Sequence, residues 1–113
     1  MIKQASEMLF RERQMRGGKG LALTLDFLMP EEMKHCRLFS TITLKQGTSI
    51  GEHTHENETE YYWIISGEGV VTEIDGDKVV KTGDLVITGD GASHAIRNDA
   101  EEPLVFLALI ILD

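Results

Sequence analysis

The sequence predicts an all-β fold, an antiparallel sandwich or barrel. Three observations carry that prediction. Short β-branched and aromatic runs recur along the chain, apolar and polar residues alternate at period two, and glycine-containing turns separate the runs. A chain of 113 residues fits one domain, and no repeat, low-complexity tract or linker divides it. With 42% hydrophobic residues it can bury a core, and 27% charged residues suit a soluble surface.

Taken in order, residues 1–20 form an N-terminal arm. Ser6 to Arg16 suits a short amphipathic helix or an irregular segment, broken by Gly17-Gly18-Lys19-Gly20. From Leu21 the signals are those of strands, because Leu21, Leu23 and Leu25 alternate with Ala22, Thr24 and Asp26. Pro30-Glu31-Glu32 makes a loop, and Arg37 to Lys45 is a strand ended by Gly47. Tyr61 to Ile65 is a strong strand stopped by Ser66-Gly67. Val70 to Ile74 and Lys78 to Lys81 pair across Asp75-Gly76, where glycine accepts positive φ at little cost. Leu85 to Thr88, His94 to Asn98 and Leu104 to Leu112 complete the set, with Gly83-Asp84 and Gly89-Asp90-Gly91 as breaks.

Two of these strands bear on assembly. Leu104 to Leu112 is apolar at nearly every position, so both of its faces call for cover. If Glu60, Tyr62 and Ile64 face inward, then Tyr61, Trp63 and Ile65 form an outward apolar row. The amino-terminal strands, a second subunit or both are expected to cover it, and a homodimer is the expected assembly.

Charge and cysteine content narrow the function. A net charge of −8 disfavours binding to nucleic acid or anionic lipid, which needs clustered cations. The one basic concentration, Arg11 to Lys19, is interrupted by Glu12 and reads as a solvated arm. The single Cys36 cannot form an internal disulfide, and no stretch has the make-up of a secretory signal or membrane span. A reducing cytoplasm is the expected location.

The chemistry concentrates in His53, His55 and Glu60, with His94 downstream. Three imidazoles and a carboxylate are donors that borderline divalent metals favour. Residues i and i+2 of a strand share a face, so His53 and His55 can aim at one point while Glu60 joins after a short turn. Such a set leaves one or two coordination positions open, as at catalytic rather than closed structural sites. Mn, Fe, Ni, Co, Cu and Zn all suit these donors.

The spacing of these residues resembles the cupin superfamily. Its first motif is matched in residues 47–67 by Gly47, His53, His55, Glu60 and Gly67. Its second is matched in residues 83–98 by Gly83, Gly91, His94 and Asn98, with Gly89 where the family places proline. That departure affects turn rigidity and leaves the donor set intact. Nine positions in register across two segments make the resemblance specific. It implies a double-stranded β-helix, or jelly roll, with metal at the wide end held by His53, His55, Glu60 and His94. Small single-domain microbial cupins of this kind carry oxalate-decarboxylase-like or sugar-isomerase-like labels by analogy. The well-known oxalate decarboxylases have two cupin domains and a glutamate on a lid loop, whereas this chain shows one domain and no matching lid acid.

Other residues near the motifs have plainer readings. Tyr62 shares a strand face with Glu60 and is a candidate catalytic hydrogen-bond donor. Glu52, Glu56 and Glu58 read by default as exposed turn carboxylates rather than as partners orienting an imidazole. Asn98 reads as a strand-end residue and Lys19 as an exposed loop residue. Ser93 and His94 are adjacent on a strand and point apart, which rules out a nucleophile–base pair between them.

Two functions follow. In the first, an open-coordination metal binds and activates a small oxygen-rich carboxylate or sugar-like substrate for isomerase, lyase, decarboxylase or dioxygenase chemistry. In the second, the same barrel is a non-catalytic module that binds a small molecule. No helix-turn-helix segment accompanies the barrel, which favours the enzyme.

Overall fold

Alternation along the chain is resolved by two antiparallel sheets that face each other across the core. The computed structural model describes residues 1–113 and contains ten strands. They are β1 (Leu9–Arg13), β2 (Ala22–Asp26), β3 (Cys36–Leu44), β4 (Ser49–Thr54) and β5 (Glu58–Ser66). After them come β6 (Glu68–Glu73), β7 (Gly76–Lys81), β8 (Leu85–Gly89), β9 (Ser93–Arg97) and β10 (Leu104–Leu112). One sheet runs β1-β2-β3-β10-β5-β8 and the other β4-β9-β6-β7. Every ladder is antiparallel, giving the double-stranded β-helix of the cupin fold. Only two short 3₁₀ turns, Ala5–Glu7 and Pro30–Glu32, are helical, and no helix is long and apolar enough to cross a membrane.

The interior changes character along its length, and this gradient positions the site. On β5 the inward face reads Glu58, Glu60, Tyr62, Ile64, all buried and passing from charged to apolar. β3 presents Ser40, Ile42 and Leu44 in the same sense, and β9 presents His94 and Ile96. One end is therefore packed with Leu44, Ile64, Val71, Ile96, Leu104 and Phe106. The other end gathers Thr24, Asp26, Ser40, His55, Glu60, Thr88 and His94 away from solvent. Tyr62 marks the boundary, stacked on His94 at 4.9 Å and tilted against Phe106 at 4.6 Å. Buried polar groups need partners or a ligand, so the chemistry lies at the polar end.

The expectation of a helix or irregular arm before residue 17 is corrected. Leu9–Arg13 is a strand, paired with β2 from Leu9↔Asp26 to Arg13↔Ala22. A ladder to a neighbouring strand outweighs the weak local preference of this segment for helix. The leucines of β2 also face away from the core. Ala22, Thr24 and Asp26 are buried, whereas Leu23 and Leu25 are half-buried.

That orientation bears on the outward aromatic row. β1 and β2 extend the sheet beyond β3, on the far side of β10 from β5, so they do not cover Tyr61, Trp63 and Ile65. The outer face of this sheet continues through register neighbours Leu107 and Trp63, Leu109 and Tyr61, Trp63 and Leu85, and Tyr61 and Ile87. Trp63 is 49% exposed, Leu85 53% and Ile87 58%. The outer face of β10 is likewise only half-buried, and Ile111 and Leu112 are exposed, so the chain alone leaves it partly uncovered.

Candidate metal centre

Three strands and one strand end deliver the four donors. His53 on β4 lies directly opposite His94 on β9, and an irregular register between Ile50 and His53 precedes that pair. His55 follows the end of β4, tied to the turn after β8 by its amide to Ala92 O and by Gly91 N to its carbonyl. Glu60 comes from β5 in the opposing sheet. The ligating atoms of His53, His55, Glu60 and His94 all lie within 4.8 Å of one another.

The geometry inside the cluster is what a cation would satisfy. The Nε2 atom of His94 sits 3.2 Å from that of His55 and 3.0 Å from that of His53. Glu60 Oε1 is 2.9 Å from the Nε2 atoms of both His55 and His94. The outer nitrogens settle which ring atoms face inward. His53 Nδ1 lies 2.7 Å from Gly51 O, and a carbonyl can only accept, so Nδ1 carries the proton. His55 Nδ1 donates to Glu58 Oε2 at 2.6 Å on the same logic, since Glu58 is ionised. Both Nε2 atoms therefore turn lone pairs inward, toward each other and toward a carboxylate. Converging lone pairs repel unless a proton or cation lies between them, and the donor set thus fits a divalent metal. His94 Nδ1 is 2.8 Å from Thr88 Oγ1, which can take its proton in the same manner.

The ionisation states agree. Burial pushes the Glu60 carboxyl up, but its contacts with the imidazoles, His53 and His94 foremost, outweigh it and hold the group at about 2. Burial lowers His94 against the opposing pull of Glu60, which favours the neutral imidazole that metals bind. Tyr62 moves the other way: burial, and then the adjacent Glu60 carboxylate, push its phenol well above 10. It remains a proton donor at neutral pH.

Glu58 departs from the default reading. It is buried, not an exposed turn residue, and grips Arg37 through two hydrogen bonds of 2.6 Å while orienting His55. The Arg37 hydrogen bond, aided by His55 against burial, holds Glu58 at about 2. Parity on β5 was the available signal, because Glu58, Glu60 and Tyr62 share one face. Glu52 and Glu56 are exposed, as read. Asn98 is a buried knot: its side-chain amide donates to Leu44 O and Glu102 O while its Oδ1 accepts from Ala100 N. Gly89 answers to packing, since a Cβ there would lie 2.4 Å from Thr59 Oγ1.

Above the donors opens a cavity of about 610 Å³. His53, His55, Glu60 and Tyr62 form part of its wall, with Met15, Met29 and Met33 among the apolar residues. Arg11, Arg13, Arg16 and Arg37 line it too, so the basic segment read as a solvated arm is part of the site wall, and Lys19 is not. Asp26 is its carboxylate besides Glu60, and it is engaged by Arg11 and by Ser40 Oγ at 2.6 Å.

Comparison with known proteins places this geometry among relatives. The family model described as Cupin domain matches residues 40–110. An oxalate-binding protein of Thermotoga maritima is 42% identical over 114 residues, covering 99% of this chain and 94% of the relative. A crystal structure from Thermotoga maritima, described as a predicted oxalate decarboxylase, superposes with a TM-score of 0.92 at 41% identity, covering 100% of both chains. A putative sugar phosphate isomerase of Acidithiobacillus ferrooxidans shares the fold at TM-score 0.78 and 21% identity, covering 97% of this chain and 74% of that one. The jelly roll, the spacing of its motifs and these matches lead to one conclusion: the chain belongs to the cupin family.

Proposed function

We propose that this cupin is a metal-dependent enzyme acting on a small oxygen-rich carboxylate or sugar-like substrate. The observation that carries this is the convergence of three imidazoles and Glu60, of which His53, His55 and Glu60 lie on the wall of an accessible cavity. His53, His55, Glu60 and His94 would hold the ion, and the cavity leaves room for substrate beside it. A divalent ion bound there supplies Lewis acidity to carbonyl or carboxylate oxygens. Tyr62, kept protonated beside Glu60, donates a hydrogen bond or proton to the developing negative charge. No other free acid or base lines the wall, since Asp26 is tied to Arg11 and Ser40. This arrangement suits isomerase, lyase or decarboxylase chemistry that needs one proton donor. Purified protein reconstituted separately with Mn, Fe, Ni, Co, Cu and Zn should turn over a panel of oxalate, 2-oxo acids and aldose–ketose pairs in at least one form. Tyr62→Phe should then slow turnover by about 10²–10⁴-fold with substrate affinity kept.

A second reading is a non-catalytic barrel that binds a small molecule. The resemblance to the oxalate-binding protein of Thermotoga maritima favours it. Tight oxalate binding with no turnover by any metal form would select this reading.

We further propose that the chain works as a cytoplasmic homodimer. Trp63, Leu85 and Ile87, with Leu107 and Leu109 beside them, make a contiguous apolar face that the chain does not cover itself. A copy related by a twofold axis would bury this face against its own equivalent. Light scattering at micromolar concentration should give twice the monomer mass, and Trp63→Glu should halve it. A wild-type monomer would end the idea.

A further inference from the structure

The four arginines of the cavity wall fall into two classes. Arg11 is paired with Asp26, and Arg37 with Glu58 through a two-pronged contact. Arg13 and Arg16 form no ion pair and donate no side-chain hydrogen bond. Arg13 Nε is buried without any partner, the one side-chain atom in the protein in that state. A buried donor left unmade is costly, more so when it is charged. Burial, and then the neighbouring Arg11 charge, disfavours the charged form of Arg13, with Asp26 opposing them.

The backbone fixes where these two side chains begin, Arg13 half-buried and Arg16 exposed. Arg13 is on β1, locked to Ala22 across the ladder, with its side chain on the same face as Leu9 and Arg11. Arg16 is in the left-handed region at φ 54°, where the chain turns back along β4. Met15 O there accepts from both Gly18 N and Gly51 N, at 2.9 and 3.2 Å. The two backbones approach so closely that a Cβ on Gly18 or Gly51 would lie 2.0 Å from a carbonyl oxygen. Both arginines thus spring from anchored backbone and line the wall that also carries His53, His55 and Glu60.

We propose that Arg13 and Arg16 form a distal anion subsite, so that the ligand carries a second anionic group beyond the head held at the His53–His55–Glu60–His94 cluster. The inference rests on the metal reading for the head group only. The distal group is a carboxylate or a phosphate, since the guanidinium fork suits both. Cavity size points the same way: about 610 Å³ far exceeds what a two-carbon diacid fills. A chain of several carbons with a chelating 2-oxo or 2-hydroxy acid at one end would span from the cluster to the arginines.

Two measurements test this independently of each other. In metal-free protein, inorganic phosphate should shift the Nε–H resonance of Arg13 in a saturable way, and Arg13→Gln should remove that signal. In Mn-loaded protein, calorimetry should compare oxaloacetate, 2-oxoglutarate and 2-oxoadipate with 2-oxobutyrate, 2-oxovalerate and 2-oxohexanoate, and 3-phosphoglycerate with glycerate. The best diacid or phosphate should bind at least about tenfold more tightly than its uncharged-tail counterpart at low salt. Arg13→Gln with Arg16→Gln should erase that ratio and leave oxalate affinity within about twofold. A preference for the diacid series over the phosphate, or the reverse, identifies the distal group. Should no 2-oxo acid bind while phosphate still shifts Arg13, the head-group reading fails and the subsite stands. Equal affinities within each pair, together with an unmoved Arg13 resonance, overturn the subsite.

Discussion

His94→Ala should lower divalent-metal affinity by more than about 100-fold, and calorimetric titration with Mn or Zn reads the loss directly. The argument is geometric. His94 Nε2 stands 3.0–3.2 Å from both other imidazoles and 2.9 Å from Glu60, so it lies close to every other donor. Removing it takes one donor of four and opens the others to water. Glu58→Gln should have a graded effect, about 10–100-fold, because it weakens the bond that orients His55 without removing a ligand. Acidification should act like these substitutions. Glu60 stays ionised down to about 2, so protonation of the imidazoles sets the limit. Burial holds His94 below the usual imidazole range, so metal affinity should hold at neutral pH and fall only as pH drops beneath that range. Wild-type protein should also melt at higher temperature with added metal, through binding to the folded state alone. Identical metal content in wild type and His94→Ala after reconstitution and desalting would remove the site from consideration.

Gly51→Ala, like Gly18→Ala, should be among the most destabilising single-methyl additions. The new Cβ would meet Arg16 O at 2.0 Å, and a backbone carbonyl cannot rotate aside as a side chain can. Either β4 or the arm must move, with an expected loss of about 2–3 kcal/mol and a fall in melting temperature of roughly 10 °C. Gly17→Ala is the comparison. It meets nothing within 4 Å, and only its φ of 70° penalises a side chain, so about 1 kcal/mol is expected. Because β4 carries His53, Gly51→Ala should also weaken metal binding and any recognition that depends on Arg16. A melting temperature unchanged by Gly51→Ala would contradict the close contact between arm and barrel.

The ligand cluster was legible in the sequence because strand parity and turn spacing translate directly into direction. His53 and His55, two apart, keep a common face even though β4 ends between them. Glu60, Tyr62 and Ile64 inward, with Trp63 and Ile65 outward, follow from the same period of two. Glu58 belonged to that face as well, yet its charge and its place beside a turn suggested exposure. Burial became tolerable only because Arg37, twenty-one residues away in sequence, pairs with it. The arm shows the same limit. Local preference over Ser6 to Arg16 permits a helix, and only the ladder with β2 makes it a strand.

By itself the sequence determined the all-β class, the main run of strands after the arm and the identity of the four converging donors. Those features depend on local periodicity and on motif spacing, which a linear chain records. Tertiary structure decided which groups neutralise one another, which sheet face is left uncovered and which arginines reach the cavity without a partner. Each of these depends on distances between residues far apart in the chain, and such distances exist only once the sheets have closed.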